Sequence, residues 1–217
     1  MLCVSISEPS VKKILNLIKK SEIAEVRLDL MDLSDHDIEK VFSGEGKIIA
    51  ACRAGKFSDE ERKIKLKKAI ESGASYVDIE IDAPDAFKTE LVSSARKHNC
   101  KVILSYHNFI GTPPTDELNK MVDVSFAQGA DIAKVACLAN SESDALRILS
   151  LYAKHKNLVA LGMGEHGRIT RLASLRMGAT FSYVSTSPAK ETAPGQITSK
   201  QMTKVLEGLP KRDSMKP

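Results

Sequence analysis

The chain has 217 residues, 42% hydrophobic and 28% charged, so it can bury a core without disulfide or metal staples, and nothing divides it into two domains. Its net charge of +4, from 32 Lys and Arg against 28 Asp and Glu, is spread along the chain, without the one-sided basic cluster that nucleic-acid binding requires. No apolar run approaches the ~18 residues that would cross a bilayer, and the Met1–Ser7 start lacks a basic-then-apolar leader, so a soluble cytoplasmic protein is expected.

Taken in order, the β-rich runs are Leu2–Ile6, Ala24–Leu30, Lys47–Cys52, Tyr76–Ile81, Lys101–Tyr106, Asp131–Ala136, Leu158–Leu161 and Phe181–Val184. Helical spacing separates them, as in Val11, Ile14, Leu15 and Ile18, or Ile64, Leu66, Ala69 and Ile70. Ser58 with Glu61 and Thr198 with Gln201 fit capping boxes. Gly73, Gly129 and Gly178, each followed by Ala, sit where helices should stop. Strands that alternate with helices eight times give a parallel α/β fold, and the count favours a single-domain (β/α)8 TIM barrel. No glycine-rich phosphate fingerprint follows the first strand, which argues against a dinucleotide-binding sheet. Cys3, Cys52, Cys100 and Cys137 form no C-x-x-C pair and read as buried thiols of a reducing compartment. The Lys211-Arg212-Asp213 tail reads as a solvated end.

Charge placement inside the strands points to a site. Glu25, Arg27 and Asp29 alternate with Val26, Leu28 and Leu30, and Asp78, Glu80 and Asp82 alternate with Val77, Ile79 and Ile81. Exposed edge strands would explain such charges. A barrel explains them better: the apolar face meets the helices and the charged face enters the interior, toward the C-terminal mouth where barrel active sites lie. Buried carboxylates need cations, and Arg27, Arg53, Lys134 and Arg171 supply them at strand ends or just beyond. Lys134, in an otherwise apolar strand, is either a strand-end charge escaping to solvent or a desolvated amine, whose pKa burial and neighbouring cations would depress, freeing it to attack a carbonyl. His107 ends another strand and is suited to take and return a proton. Imine formation followed by proton abstraction is the implied chemistry. His36, His98 and His155 read as solvated surface, and His166 as a loop residue near the mouth. No histidine pair has metal-ligand spacing, so no metal is expected.

These residues carry a family resemblance. Glu25-Val26-Arg27-Leu28-Asp29, Arg53, Ser105-Tyr106-His107-Asn108-Phe109, Lys134, Met163-Gly164-x-x-Gly167-x-x-Thr170-Arg171 and Thr192-Ala193-Pro194-Gly195-Gln196 stand in the order found in type I 3-dehydroquinate dehydratases, the Schiff-base enzymes of the shikimate pathway, which the chain resembles over essentially its whole length. The resemblance implies that Lys134 forms the imine with the C3 ketone of 3-dehydroquinate. His107 would remove the C2 proton and later protonate the departing C1 hydroxyl. Arg171 would pair with the substrate carboxylate. Glu25, Arg27 and Arg53 would hold the hydroxyls, with Ser5, Thr192 and Gln196 completing the binding set and 185–196 forming a lid. No cofactor is implied, and a homodimer is allowed.

One departure bears on the mechanism. Many family members place a Glu four residues after the arginine matching Arg53, where it can orient the histidine, and here that position is Phe57. Asp78 or Glu80 are the expected replacements. A class I aldolase-like Schiff-base lyase is the alternative reading, with Gly162, Gly164 and Gly167 mimicking a phosphate site. Arg171 and Gln196 suit a carboxylate better.

Overall fold

The computed structural model describes residues 1–208, so the Lys211-Arg212-Asp213 tail lies outside the described residues. Nine strands and eight α-helices follow in the order β1 (Leu2–Ile6), α1 (Val11–Lys19), β2 (Ile23–Arg27), α2 (Asp35–Phe42), β3 (Ile48–Ala51), α3 (Asp59–Glu71), β4 (Tyr76–Glu80), α4 (Asp85–Lys97), β5 (Lys101–Asn108), α5 (Thr115–Ala127), β6 (Ile132–Leu138), α6 (Glu142–Lys154), β7 (Leu158–Met163), α7 (Gly164–Met177), β8 (Ser182–Ser185), β9 (Ile197–Thr198) and α8 (Ser199–Glu207). All pairs are parallel, in the sheet order β7-β6-β5-β4-β3-β2-β1-β8-β9. The Thr180 N–H donates to the Leu158 carbonyl at 3.1 Å, joining the approach to β8 to the start of β7 and bringing the sheet round into a (β/α)8 barrel.

Strand periodicity divides the side chains between two layers. Val4, Ile6, Ala24, Val26, Val77, Ile79, Val102 and Leu104 face the helices in the main core. Cys3, Ile23, Ile49, Ile103, Ile132, Val159, Phe181 and Tyr183 form an apolar plug inside the barrel. Two positions further along the strands from Cys3, Ile23, Tyr76, Ile103 and Ile132, the residues Ser5, Glu25, Asp78, Ser105 and Lys134 are buried and polar. The charged strand positions therefore enter the interior, above the plug and toward the mouth.

Local signals shape the helices as expected. The Ser58–Glu61 and Thr198–Gln201 capping boxes both form, and Ser34–Asp37 adds a third. Gly73, Gly129 and Gly178 adopt φ of 108°, 94° and 106°, and the N–H groups of Ala74, Ala130 and Ala179 reach back to the carbonyls of Ala69, Ser125 and Ser174. This closure needs a left-handed residue, which glycine supplies without a Cβ penalty. All four cysteines are free and buried. No described helix is long and apolar enough to cross a membrane.

Several expectations need correction. The second strand ends at Arg27, where Nε and Nη2 grip the Asp29 carboxylate at 3.0 and 2.6 Å and Leu28–Leu30 forms a 3-10 turn. Leu30 is consequently 50% exposed rather than packed on the helices. Asp82 lies beyond β4 and is exposed. On α3, Ile64 is 51% exposed, and Arg62 shares the buried face with Leu66, Ala69 and Ile70. The two-residue β9 is too short to show periodicity, yet it pairs Ile197 and Thr198 with Val184 and Ser185 and pins the end of the 185–196 segment.

Candidate active site

A cavity of about 300 Å³ opens at the C-terminal ends of the strands. Its lining includes all nine residues singled out from the sequence: Ser5, Glu25, Arg27, Arg53, His107, Lys134, Arg171, Thr192 and Gln196. Asp29, Glu80, Phe109, Met163 and Tyr183 line it as well.

Asp78 sits at the centre of the charge network. Strand register sets Glu80 beside Ser105 and Ser105 beside Lys134, so β4, β5 and β6 present these side chains to one another. The Asp78 carboxylate accepts from Lys134 Nζ at 2.9 Å, Arg53 Nη2 at 2.8 Å and Ser105 Oγ at 2.6 Å. Burial alone would raise this carboxyl, but Arg53 and Lys134 outweigh it and hold the group well below the usual carboxylate range. Glu25, which accepts from Ser5 Oγ at 3.0 Å, brings Oε1 to 3.6 Å from Lys134 Nζ. The Tyr183 ring covers the same nitrogen, with its centroid 4.2 Å away. The desolvated-amine reading of Lys134 invokes neighbouring cations. The structure corrects this, since the charged groups within 4 Å of Nζ are the carboxylates of Asp78 and Glu25.

The arrangement around His107 also differs from expectation. Neither Asp78 nor Glu80 makes a hydrogen bond to the imidazole. Arg53 Nη1 approaches Nδ1 at 3.5 Å, and the Phe109 ring stacks alongside. Burial, then the charges of Arg53 and Lys134, lower the imidazole well below its ordinary range despite the nearby Asp78. The ring is therefore neutral at pH 7 and able to accept a proton. Phe57 packs instead against the outer core, with Lys56 and Lys65 over its ring.

Arg171 is set by the tight join of β7 to α7. Gly162 and Gly167 touch backbone to backbone, and a Cβ on Gly167 would lie 2.4 Å from the Gly162 carbonyl carbon. Thr170 Oγ1 locks the join, accepting from the Gly162 N–H at 2.7 Å and donating to the Gly167 carbonyl at 2.6 Å. The next residue, Arg171, is only 1% exposed. No described carboxylate pairs with it. Its Nη2 has one long contact, 3.4 Å to the Pro194 carbonyl, and its Nε has no partner. Burial pulls the guanidinium well below its ordinary value, down to about 10. A buried, forked cation at a cavity wall with no described carboxylate partner has the charge and shape to take a carboxylate. The 185–196 segment lies against it: Gly164 N–H donates to the Pro194 carbonyl at 3.2 Å, and the Gln196 side chain accepts from Thr192 N–H at 2.9 Å.

His166 does not join the cavity; it faces Glu142 at 3.0 Å on the surface. His155, read as solvated, is buried, with Nε2 2.7 Å from Asn119 Oδ1. The sequence reading gave no role to Tyr183 or Arg62. An inward tyrosine in an apolar strand carries no signal of its neighbour, whereas a charged residue on the buried stripe of α3 was a visible clue.

The family model described as type I 3-dehydroquinase matches residues 2–212. The 3-dehydroquinate dehydratase of Methanococcus maripaludis strain C7 is 36% identical over 218 residues, covering 95% of this chain and 99% of that one. The crystal structure of 3-dehydroquinate dehydratase from Aquifex aeolicus VF5 superposes with a TM-score of 0.82 at 27% identity, over 96% of this chain and 98% of the other. That of the enzyme from Geobacillus kaustophilus HTA426 shares the fold, with a TM-score of 0.86 at 23% identity over 100% and 92% of the two chains.

Proposed function

The chain belongs to the type I 3-dehydroquinase family, and from that premise we propose how its residues dehydrate 3-dehydroquinate in the shikimate pathway. One observation supports the assignment of roles above all others. A lysine held by Asp78 and a neutral histidine share a cavity with Arg171, a buried cation that has no carboxylate of its own. Lys134 loses a proton and its amine attacks the C3 ketone. Expulsion of water leaves a cationic iminium, which acidifies the adjacent C2–H. His107 takes that proton, the electron pair enters the enamine, and the C1 hydroxyl departs with the proton returned by the imidazolium. Hydrolysis of the imine then frees the product and restores the amine.

Arg171 receives the substrate carboxylate through its fork. Glu25, Arg27, Arg53 and Ser5 hold the hydroxyls, and segment 185–196, carrying Thr192 and Gln196, covers the substrate and keeps water out. The chain folds as one barrel domain and works in the cytoplasm. A homodimer belongs to this reading, and sedimentation equilibrium tests it. An aldolase-like reading is disfavoured because Arg171 is a buried fork suited to a carboxylate.

The decisive experiment is reductive trapping. Borohydride added with 3-dehydroquinate should leave a stable mass adduct on the Lys134 peptide, and Lys134→Ala should abolish it. An adduct mapped to another lysine removes Lys134 from the mechanism.

A further inference from the structure

Arg53 holds the most exacting position in the cavity. Its guanidinium touches Asp78, Ser105 and His107 at once, yet it lies in the loop after β3, where no strand ladder fixes the backbone. The means of fixing it lies outside the cavity. Arg62, on α3, is 3% exposed, and its Nε donates to the Cys52 carbonyl at 2.9 Å. Its Nη2 pairs with Glu80 Oε2 at 2.5 Å, and the same Oε2 accepts from the Ala54 N–H at 3.1 Å. One ion pair thus takes the carbonyl before Arg53 and the N–H after it. Asp59 holds Nη1 at 2.7 Å and the Phe87 ring lies under the guanidinium, 5.1 Å from centroid to carbon, so the clamp is itself immobilised.

We propose that Arg62 is a positioning residue for the dehydration: with Glu80 it fixes the backbone on both sides of Arg53 and so holds the Arg53 guanidinium against His107 and Asp78. This fills the structural role left open by Phe57, since no carboxylate hydrogen-bonds His107. The proposal rests on His107 acting as the base. Only a forked side chain can grip the Cys52 carbonyl and Glu80 together, so lysine is a poor substitute.

The consequence is read through the charges that face the imidazole, namely Arg53 from the β3 loop, Lys134 from β6, Asp78 from β4 and Arg27 from β2. If Arg53 retreats, its repulsion of the imidazolium weakens and His107 protonates at higher pH. A retreat of about 2 Å at an effective dielectric of about 20 moves the midpoint up by roughly one pH unit. Misplacement on that scale also costs up to about a hundredfold in rate.

The test compares Arg62→Lys and Arg62→Met with the wild type in kcat/KM against pH, with circular dichroism confirming the fold and borohydride trapping at Lys134 as a readout of imine formation. The expected result has three parts: trapping within about threefold of wild type, kcat reduced roughly tenfold to a hundredfold, and an acidic limb displaced upward, more in the Met variant than in Lys. Arg62→Lys guards against outright unfolding of the Met variant. An unchanged acidic limb in folded variants, or trapping and turnover falling together without a pH displacement, overturns the clamp. His107→Ala, run alongside, separates the two ideas. If that variant turns over normally, the role of His107 fails; if it stalls while the Arg62 variants match wild type, the clamp fails.

Discussion

Replacing Arg171 by methionine should stabilise the protein and ruin the enzyme. In the folded chain burial brings the guanidinium well below its ordinary value, down to about 10, equivalent to about 3 kcal/mol of unfavourable charge burial. The sign follows from linkage: a base depressed by folding binds its proton more weakly in the native state, so the cost is present in full below about pH 10 and disappears only above the unfolded value. Every practical assay lies inside that window. Methionine keeps the stem, removes the charge and the unpartnered Nε, and loses only the 3.4 Å contact to Pro194, worth at most about 1 kcal/mol. The net gain is about 2 kcal/mol, or roughly 4–8 °C in Tm for a chain of this size. Losing the carboxylate partner should cost roughly 2–5 kcal/mol of binding, about 30-fold to several thousandfold in kcat/KM. Thermal unfolding by circular dichroism and dehydration followed by product enone absorbance measure the two halves. Substrate or product should raise the wild-type Tm and leave the variant's unmoved. An Arg171→Met protein that melts below wild type would show that the guanidinium supports the fold and that its burial is not held in reserve for a ligand.

Asp78→Asn leaves Lys134 and Arg53 sharing a neutral amide, and should cost about 3–5 kcal/mol in urea unfolding at pH 7. Because the native carboxyl is held below its unfolded value, this stabilisation is complete above about pH 4 and fades as pH falls, so the difference between wild type and variant should shrink by pH 3. His107→Ala should form the imine and stop, accumulating a covalent adduct visible by intact-protein mass spectrometry without borohydride. Gly167→Ala forces a Cβ into the Gly162 backbone and should lower kcat/KM through Arg171, whereas Gly178→Ala, where a Cβ meets nothing within 4 Å, should cost about 1 kcal/mol of stability and spare KM.

The parts of the site readable in the sequence were those where side-chain type contradicts strand position. Glu25, Asp78 and Lys134 are charges where an α/β strand should be dry, and only a barrel interior reconciles them with covered outer faces. What the pattern could not convey was pairing across strands. Periodicity places Asp78 and Lys134 on inward faces separately, but the contact between them depends on the stagger of β4, β5 and β6, which no single strand encodes. For that reason the sequence offers Lys134 as a counter-ion for buried carboxylates without showing which ones, and Asp78 and Glu25 are the partners. The same gap explains His107: Asp78 and Glu80 are near in register, yet Asp78 turns its oxygens to Lys134, Ser105 and Arg53, and Glu80 turns Oε2 to Arg62 and the Ala54 N–H.

That occupancy has a chemical consequence. With its oxygens on Lys134, Arg53 and Ser105, Asp78 makes no hydrogen bond to the imidazole and acts on it through its charge alone, while the Arg53 guanidinium stands within hydrogen-bond range of His107. A carboxylate partner would raise the histidine toward the cation, whereas here burial first, and then Arg53 and Lys134, lower it. In the proposed mechanism, an imidazolium formed on taking the C2 proton would accordingly be less favoured and readier to return that proton to the leaving hydroxyl. Base strength is reduced in the first step and acid strength gained in the second. An iminium on Lys134, as proposed, would acidify C2–H and so make the weaker base sufficient.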